Sequence, residues 1–92
     1  MNTHWLKSSL DPKDIKGKKV FVVDRTTECT IEARLQVDQV HKNGQMLVSA
    51  EFNSNPHSNT GSIATFQLTQ AQLDSFAQDG EKCILEIPAK SN

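Results

Sequence analysis

A chain of 92 residues with 36% hydrophobic side chains makes one domain, residues 1–92, with one thin core, because a chain this size buries roughly two-thirds of the surface it exposes when unfolded. Little apolar material is left over for a deep substrate pocket, which disfavours an enzyme. The formal charge of −1 hides a polarity: residues 1–25 carry six cations against three acids, a balance of +3, and residues 26–92 four against eight, −4. Such a split bears on partners and solubility, not on fold.

The opening residues predict a turn or two of helix, with Thr3 as cap for His4-Trp5-Leu6-Lys7 and with Trp5, Leu6 and Leu10 over one end of the core. Asp11-Pro12-Lys13-Asp14 reads as a second helical start, an Asp cap followed by Pro at the first position, and Gly17 ends it. A strand follows from Lys18 to Asp24. From Cys29 to Val37 the odd positions are apolar, and after Asn43-Gly44 the even positions Met46, Val48, Ala50 and Phe52 resume the alternation. A period of two marks strands with one face in a core. Asn-Gly fits a two-residue type I′ turn, which sets Leu35 opposite Phe52, Val37 opposite Ala50, Gln36 opposite Glu51 and Asp38 opposite Ser49. Val40 and Leu47 then pair on the wet face, either as a minor cluster under the N-terminal segment or as an apolar spot for a partner.

Residues 53–61, NSNPHSNTG, form a polar loop longer than a simple reversal needs, and such loops often carry binding. Ile63 to Leu68 is a further strand, with Ala64, Phe66 and Leu68 in phase. Thr69 and Gln72 make a capping box, and Leu68 with Leu73 a hydrophobic staple. Leu73, Phe76 and Ala77 give a helix an apolar stripe, and Gly80 stops it. The last strand, Lys82 to Ile87, puts Cys83, Leu85 and Ile87 on one face before Pro88. The predicted class is α+β: a small, mostly antiparallel sheet or partly open barrel of about five strands, with one short helix and an irregular or helical N-terminal cap.

The chemistry of sites is sparse. The histidines at 4, 41 and 57 are scattered and the cysteines do not form a Cys-x-x-Cys pair, so no zinc spacing is present. Cys29 and Cys83 are in phase with core residues and read as small buried hydrophobes. No Gly-x-Ser-x-Gly, phosphate-cradling loop or dinucleotide fingerprint occurs; neither a cofactor nor a small-molecule substrate is expected. The longest apolar run, Val20-Phe21-Val22-Val23, is far below the ~20 residues that span a bilayer, and MNTHWLKSSL lacks the features of a secretory signal. A cytoplasmic protein without a membrane partner is the expectation, its thiols reduced. Lys13, Lys16, Lys18 and Lys19 read either as a solvated lysine-rich edge or as a local patch that touches phosphate. Phe21, Phe52, Phe66 and Phe76 read as core, which leaves Trp5 as the free aromatic and weakens the case for an autonomous single-strand binder.

The whole chain, and MNTHWLKSSLDPKDIKGKKVFVVD most of all, resembles small phage-encoded anti-CRISPR proteins of the group that inhibits type I-F surveillance complexes. These inhibitors share no common motif, so no family residues carry over. The resemblance implies a stoichiometric, non-enzymatic inhibitor that docks on the multi-subunit CRISPR RNA-guided complex in the host bacterial cytoplasm and blocks target DNA binding. Lys13, Lys16, Lys18 and Lys19, with Asn55, His57 and Asn59 of the polar loop, are the expected contacts, the lysines meeting guide-RNA phosphate. A small nucleic-acid-binding or regulatory protein is the alternative, and a phage structural or assembly component is another.

Overall fold

The computed structural model describes residues 5–26, 28–54 and 62–88. Thr3, His4, Asn55, His57 and Asn59, and with them the first helix cap and the loop contacts, lie outside these residues. The element order is α1 (Pro12–Ile15), β1 (Lys19–Asp24), β2 (Cys29–Val40), β3 (Met46–Asn53), β4 (Ile63–Gln67), α2 (Gln70–Asp79) and β5 (Ile84–Glu86). The strands form one open sheet in the order β4-β3-β2-β1-β5. All neighbours are antiparallel except β1 and β5, which run parallel. The α+β expectation therefore holds in its open-sheet form, not as a barrel.

Alternation decides which face is covered. Val20 and Val22 of β1, Ala33 and Leu35 of β2, and Met46, Val48, Ala50 and Phe52 of β3 all turn to the same side and are buried. The chain leaves β4 at one edge and reaches β5 at the other through α2, which lays Leu73 and Phe76 on that side. The helix begins at the expected capping box: the Gln72 amide donates to Thr69 Oγ1 at 3.2 Å and the Thr69 amide to Gln72 Oε1 at 2.9 Å. Ala77, placed in the apolar stripe by its spacing, is exposed. The row through Leu73, Phe76 and Gly80 faces the sheet, and Ala77 lies one residue further round. After Gly80 a 3-10 turn, Gly80–Lys82, consumes the start of the expected last strand, so β5 is only three residues long.

The β2–β3 hairpin differs from its reading in register. The His41 amide donates to Gln45 O at 2.7 Å and the Gly44 amide to His41 O at 2.9 Å, so the loop is Lys42-Asn43-Gly44, and only Gly44 takes positive φ, +91°. Asn43 is held instead by its own side chain, whose Oδ1 accepts from the Gln45 amide at 2.9 Å. A three-residue loop of this kind is the next commonest solution after the type I′ turn. Leu35 consequently faces Ala50, Val37 faces Val48 and Ala33 faces Phe52, with a bulge between Val37 and Gln39. Val40 faces Met46 and Leu47 faces Gln39, so the expected Val40–Leu47 pair does not form. Leu47 is buried, whereas Val40 is 52% exposed.

Three further expectations are corrected. Trp5 to Lys7 is not helical: Leu6 exchanges both backbone hydrogen bonds with Met46, at 2.8 and 2.9 Å, and continues the row that β4 vacates. Cys29 is exposed at the strand end opposite Asp24, where the alternation runs out of core to face; Cys83 is buried as read. Phe21 alternates with Val20 and Val22 and stands half-buried on the uncovered face of the sheet, not in the core.

Candidate interaction surface

The basic patch is built by a short, well-anchored device. α1 has only four residues and no side-chain cap from Asp11, too few to be stable alone. Ile15 fixes it by burying completely in the core. The chain then turns at Gly17, whose φ of +80° is a region that side chains with a Cβ enter at a cost. The Gly17 amide donates to Leu35 O at 2.8 Å, and the Leu35 amide to Lys18 O at 2.9 Å, which extends the β1–β2 ladder back to the turn.

Lys13, Lys16 and Lys18 thereby stand exposed around one end of the sheet, and none of them forms an ion pair among the described residues. Lys19 differs. Its ammonium is 3.7 Å from Glu32 Oε1 and 5.7 Å above the centroid of the Phe21 ring, and its backbone amide donates to Glu81 Oε2 at 3.3 Å. It serves the sheet surface as much as any partner. Arg34, which the sequence reading did not single out, belongs to the patch: it is the cross-strand neighbour of Lys19, and its Nη1 donates to Gly17 O at 3.2 Å. Its alternation with Ala33 and Leu35 marks it as outward-facing, but only the register shows that it joins the lysines.

From this end the opposite face of the sheet extends across all five strands, and it is at least partly exposed except on β3, where Leu47 and Ser49 are buried on this side too. Lys19 of β1, Glu32, Arg34 and Gln36 of β2, Glu51 of β3, Thr65 and Gln67 of β4 and Glu86 of β5 are among its polar groups. Phe21, Val23 and Ile84, the last 63% exposed and directly beside Phe21, make a small apolar strip. Near the β2–β3 turn, Trp5, Leu47, Gln67 and Gln70 line a groove, and Trp5 meets His41 edge-on at 5.1 Å. Gln70 ties that region together, accepting from the Lys7 amide at 2.9 Å and donating to Lys7 O at 2.7 Å.

Among the described residues no group of three or more His, Cys, Asp or Glu gathers as a metal site, and no helix is long and apolar enough to cross a membrane. The Cys83 sulfur lies 3.4 Å from Ser75 Oγ inside the core. Comparison of the chain with protein-family models, with curated proteins and with solved structures found no match.

Proposed function

We propose that this chain is a non-enzymatic phage inhibitor of the anti-CRISPR kind, which docks on a CRISPR RNA-guided surveillance complex in the bacterial cytoplasm and blocks its binding to target DNA. The observation that supports the reading is the set of three exposed lysines, Lys13, Lys16 and Lys18, without an ion pair among the described residues, anchored to the sheet by Ile15 and Gly17 and joined by Arg34. Cations held without acidic partners are available to neutralise guide-RNA phosphate at a protein docking site. Most of the large apolar side chains are buried, Val40, Ile63 and Ile84 excepted, which leaves outward-facing polar groups as the main contacts. The test is reversal of Lys13, Lys16 and Lys18 to Glu, with binding to the purified surveillance complex followed against salt. Weaker binding and a shallower salt slope support the contact; an unchanged slope removes it.

A second reading has one observation in its favour. Phe21 lies on the uncovered face beneath Lys19 and beside Arg34's strand, an aromatic with flanking cations of the sort on which single-stranded bases stack. Glu32 and Glu51 interrupt that surface, which is why the inhibitor is preferred. A gel shift with mixed oligonucleotides separates the two: tight binding lost on Phe21→Ala supports the autonomous nucleic-acid binder, and only weak binding supports the inhibitor.

A further inference from the structure

The two edges of the sheet are treated differently. β5 is short, and its outer side is obstructed: Glu86 O accepts from Gln72 Nε2 at 3.1 Å, the Glu86 carboxylate pairs with Arg25 Nε at 3.4 Å, and Pro88 follows. These are the devices by which natural sheets close an edge. β4 has none of them. Its sequence, Ile-Ala-Thr-Phe-Gln, contains no charge, no proline and no glycine.

The hydrogen-bond phase shows what β4 offers. The Leu68 amide donates to Val48 O at 2.9 Å and the Ser54 amide to Ser62 O at 2.8 Å, so the even-numbered residues bond to β3. Antiparallel ladders alternate; hence Ile63, Thr65 and Gln67 turn their N–H and C=O groups to the open edge. The backbone of these three residues makes no further hydrogen bond among the described residues, and Ile63 is 64% exposed.

We infer that β4 is a self-association edge, and that two copies of the chain pair antiparallel through it about a two-fold axis at Thr65. A second copy fits better than an unrelated strand because the edge is complementary to itself. With Thr65 opposite its own copy, Ile63 falls opposite Gln67 on each side, so all three open residues of both chains pair at once, giving roughly six hydrogen bonds. The same register sets half-buried Ala64 against half-buried Phe66, small against large, on the covered side. No charges face each other across the junction, and the closed two-fold arrangement leaves β5 as the outer edge at both ends. The result is a continuous ten-stranded sheet from two five-stranded ones. This rests on β4 alone, and is independent of what the lysines bind.

Sedimentation velocity on the full chain across a wide concentration range tests it, together with amide exchange. The expected result is a monomer–dimer equilibrium in which the Ile63, Thr65 and Gln67 amides gain protection with concentration. Thr65→Lys, which sets two cations opposite each other, weakens association by about tenfold or more. Gln67→Lys is the second variant, and circular dichroism verifies that each folds. A wild-type chain that stays monomeric at the highest concentration overturns the proposal. So does a dimer indifferent to both substitutions, or fast exchange at the three amides within the dimer, or an edge that pairs only with a strand from another protein.

Discussion

The Ser49 hydroxyl donates to Asp38 Oδ1 at 3.2 Å, and it does so where β2 carries one residue more than β3. The bulge has a cause. The Lys42-Asn43-Gly44 loop sets even residues opposite even ones, as with Val40 and Met46, whereas the core needs Leu35 opposite Ala50. A register slip of one residue exchanges the faces of a strand, and the extra residue at Asp38 restores them. Ser49 is 6% exposed, so its hydroxyl needs a partner. Ser49→Ala and Asp38→Ala are each expected to cost about 1 kcal/mol, and the double variant little more than either alone, because both remove one bond. Chemical denaturation of the three variants measures this; full additivity would show that the contact contributes nothing.

Gly44 and Gly17 separate conformation from space. A Cβ at either position meets no atom within 4 Å, yet φ is +91° and +80°. Ala at either site should therefore destabilise by about 1 kcal/mol through backbone strain alone. Asn at the same site should recover part of that loss, since Asn tolerates the left-handed region better. Equal melting temperatures for the Gly, Asn and Ala forms would contradict this.

Ile15 carries the basic end. It is completely buried although it belongs to a four-residue helix. Ile15→Ala is expected to lose about 2–5 kcal/mol and to weaken any binding that uses Lys13 or Lys16, because the turn that holds them loses its anchor. Thr69→Ala, which removes a helix cap far from the lysines, should cost about 1 kcal/mol without touching that binding. The pair distinguishes loss of the patch from loss of stability in general.

How much of this could be read from the sequence follows the range of each interaction. The capping box at Thr69 and Gln72, the alternation of β2 and β3, and the stop at Gly80 are written within a few residues, and the structure has all three. The polar pairs on the wet face were nearly legible: Gln36 Nε2 donates to Glu51 Oε2 at 2.7 Å and Ser49 bonds Asp38, but as diagonal neighbours rather than opposite ones. What escaped depended on distant partners. Ile15 has no periodic companion in its own element, the Leu6–Met46 bridge joins residues forty positions apart, and the neighbourhood of Lys19 and Arg34 exists only through the β1–β2 register. Phase places Phe21 and Cys29 in the core, but the buried neighbours Val20 and Val22 fix Phe21 on the other face, and Cys29 keeps its phase only to the hairpin end, where it stands in water. The loop residues Asn55, His57 and Asn59 lie outside the described part of the fold.

The Lys19–Glu32 pair is a test of restraint. Both side chains are well exposed, 37% and 57%, and exposed pairs contribute little because solvent and salt screen them. Glu32→Gln should change stability by less than about 1 kcal/mol and free the Lys19 ammonium. If Lys19 contributes to phosphate contact, this variant binds the surveillance complex at least as tightly as the wild type. Weaker binding would assign Glu32, not Lys19, to the interface.

The most direct measurement mixes the purified chain with a purified type I-F surveillance complex at low salt, then follows co-elution and capture of target DNA. If the surface built on Ile15 and Gly17 is for docking, the two travel together in fixed ratio and DNA capture falls away as the chain is added. Separate elution with DNA capture intact would contradict the account.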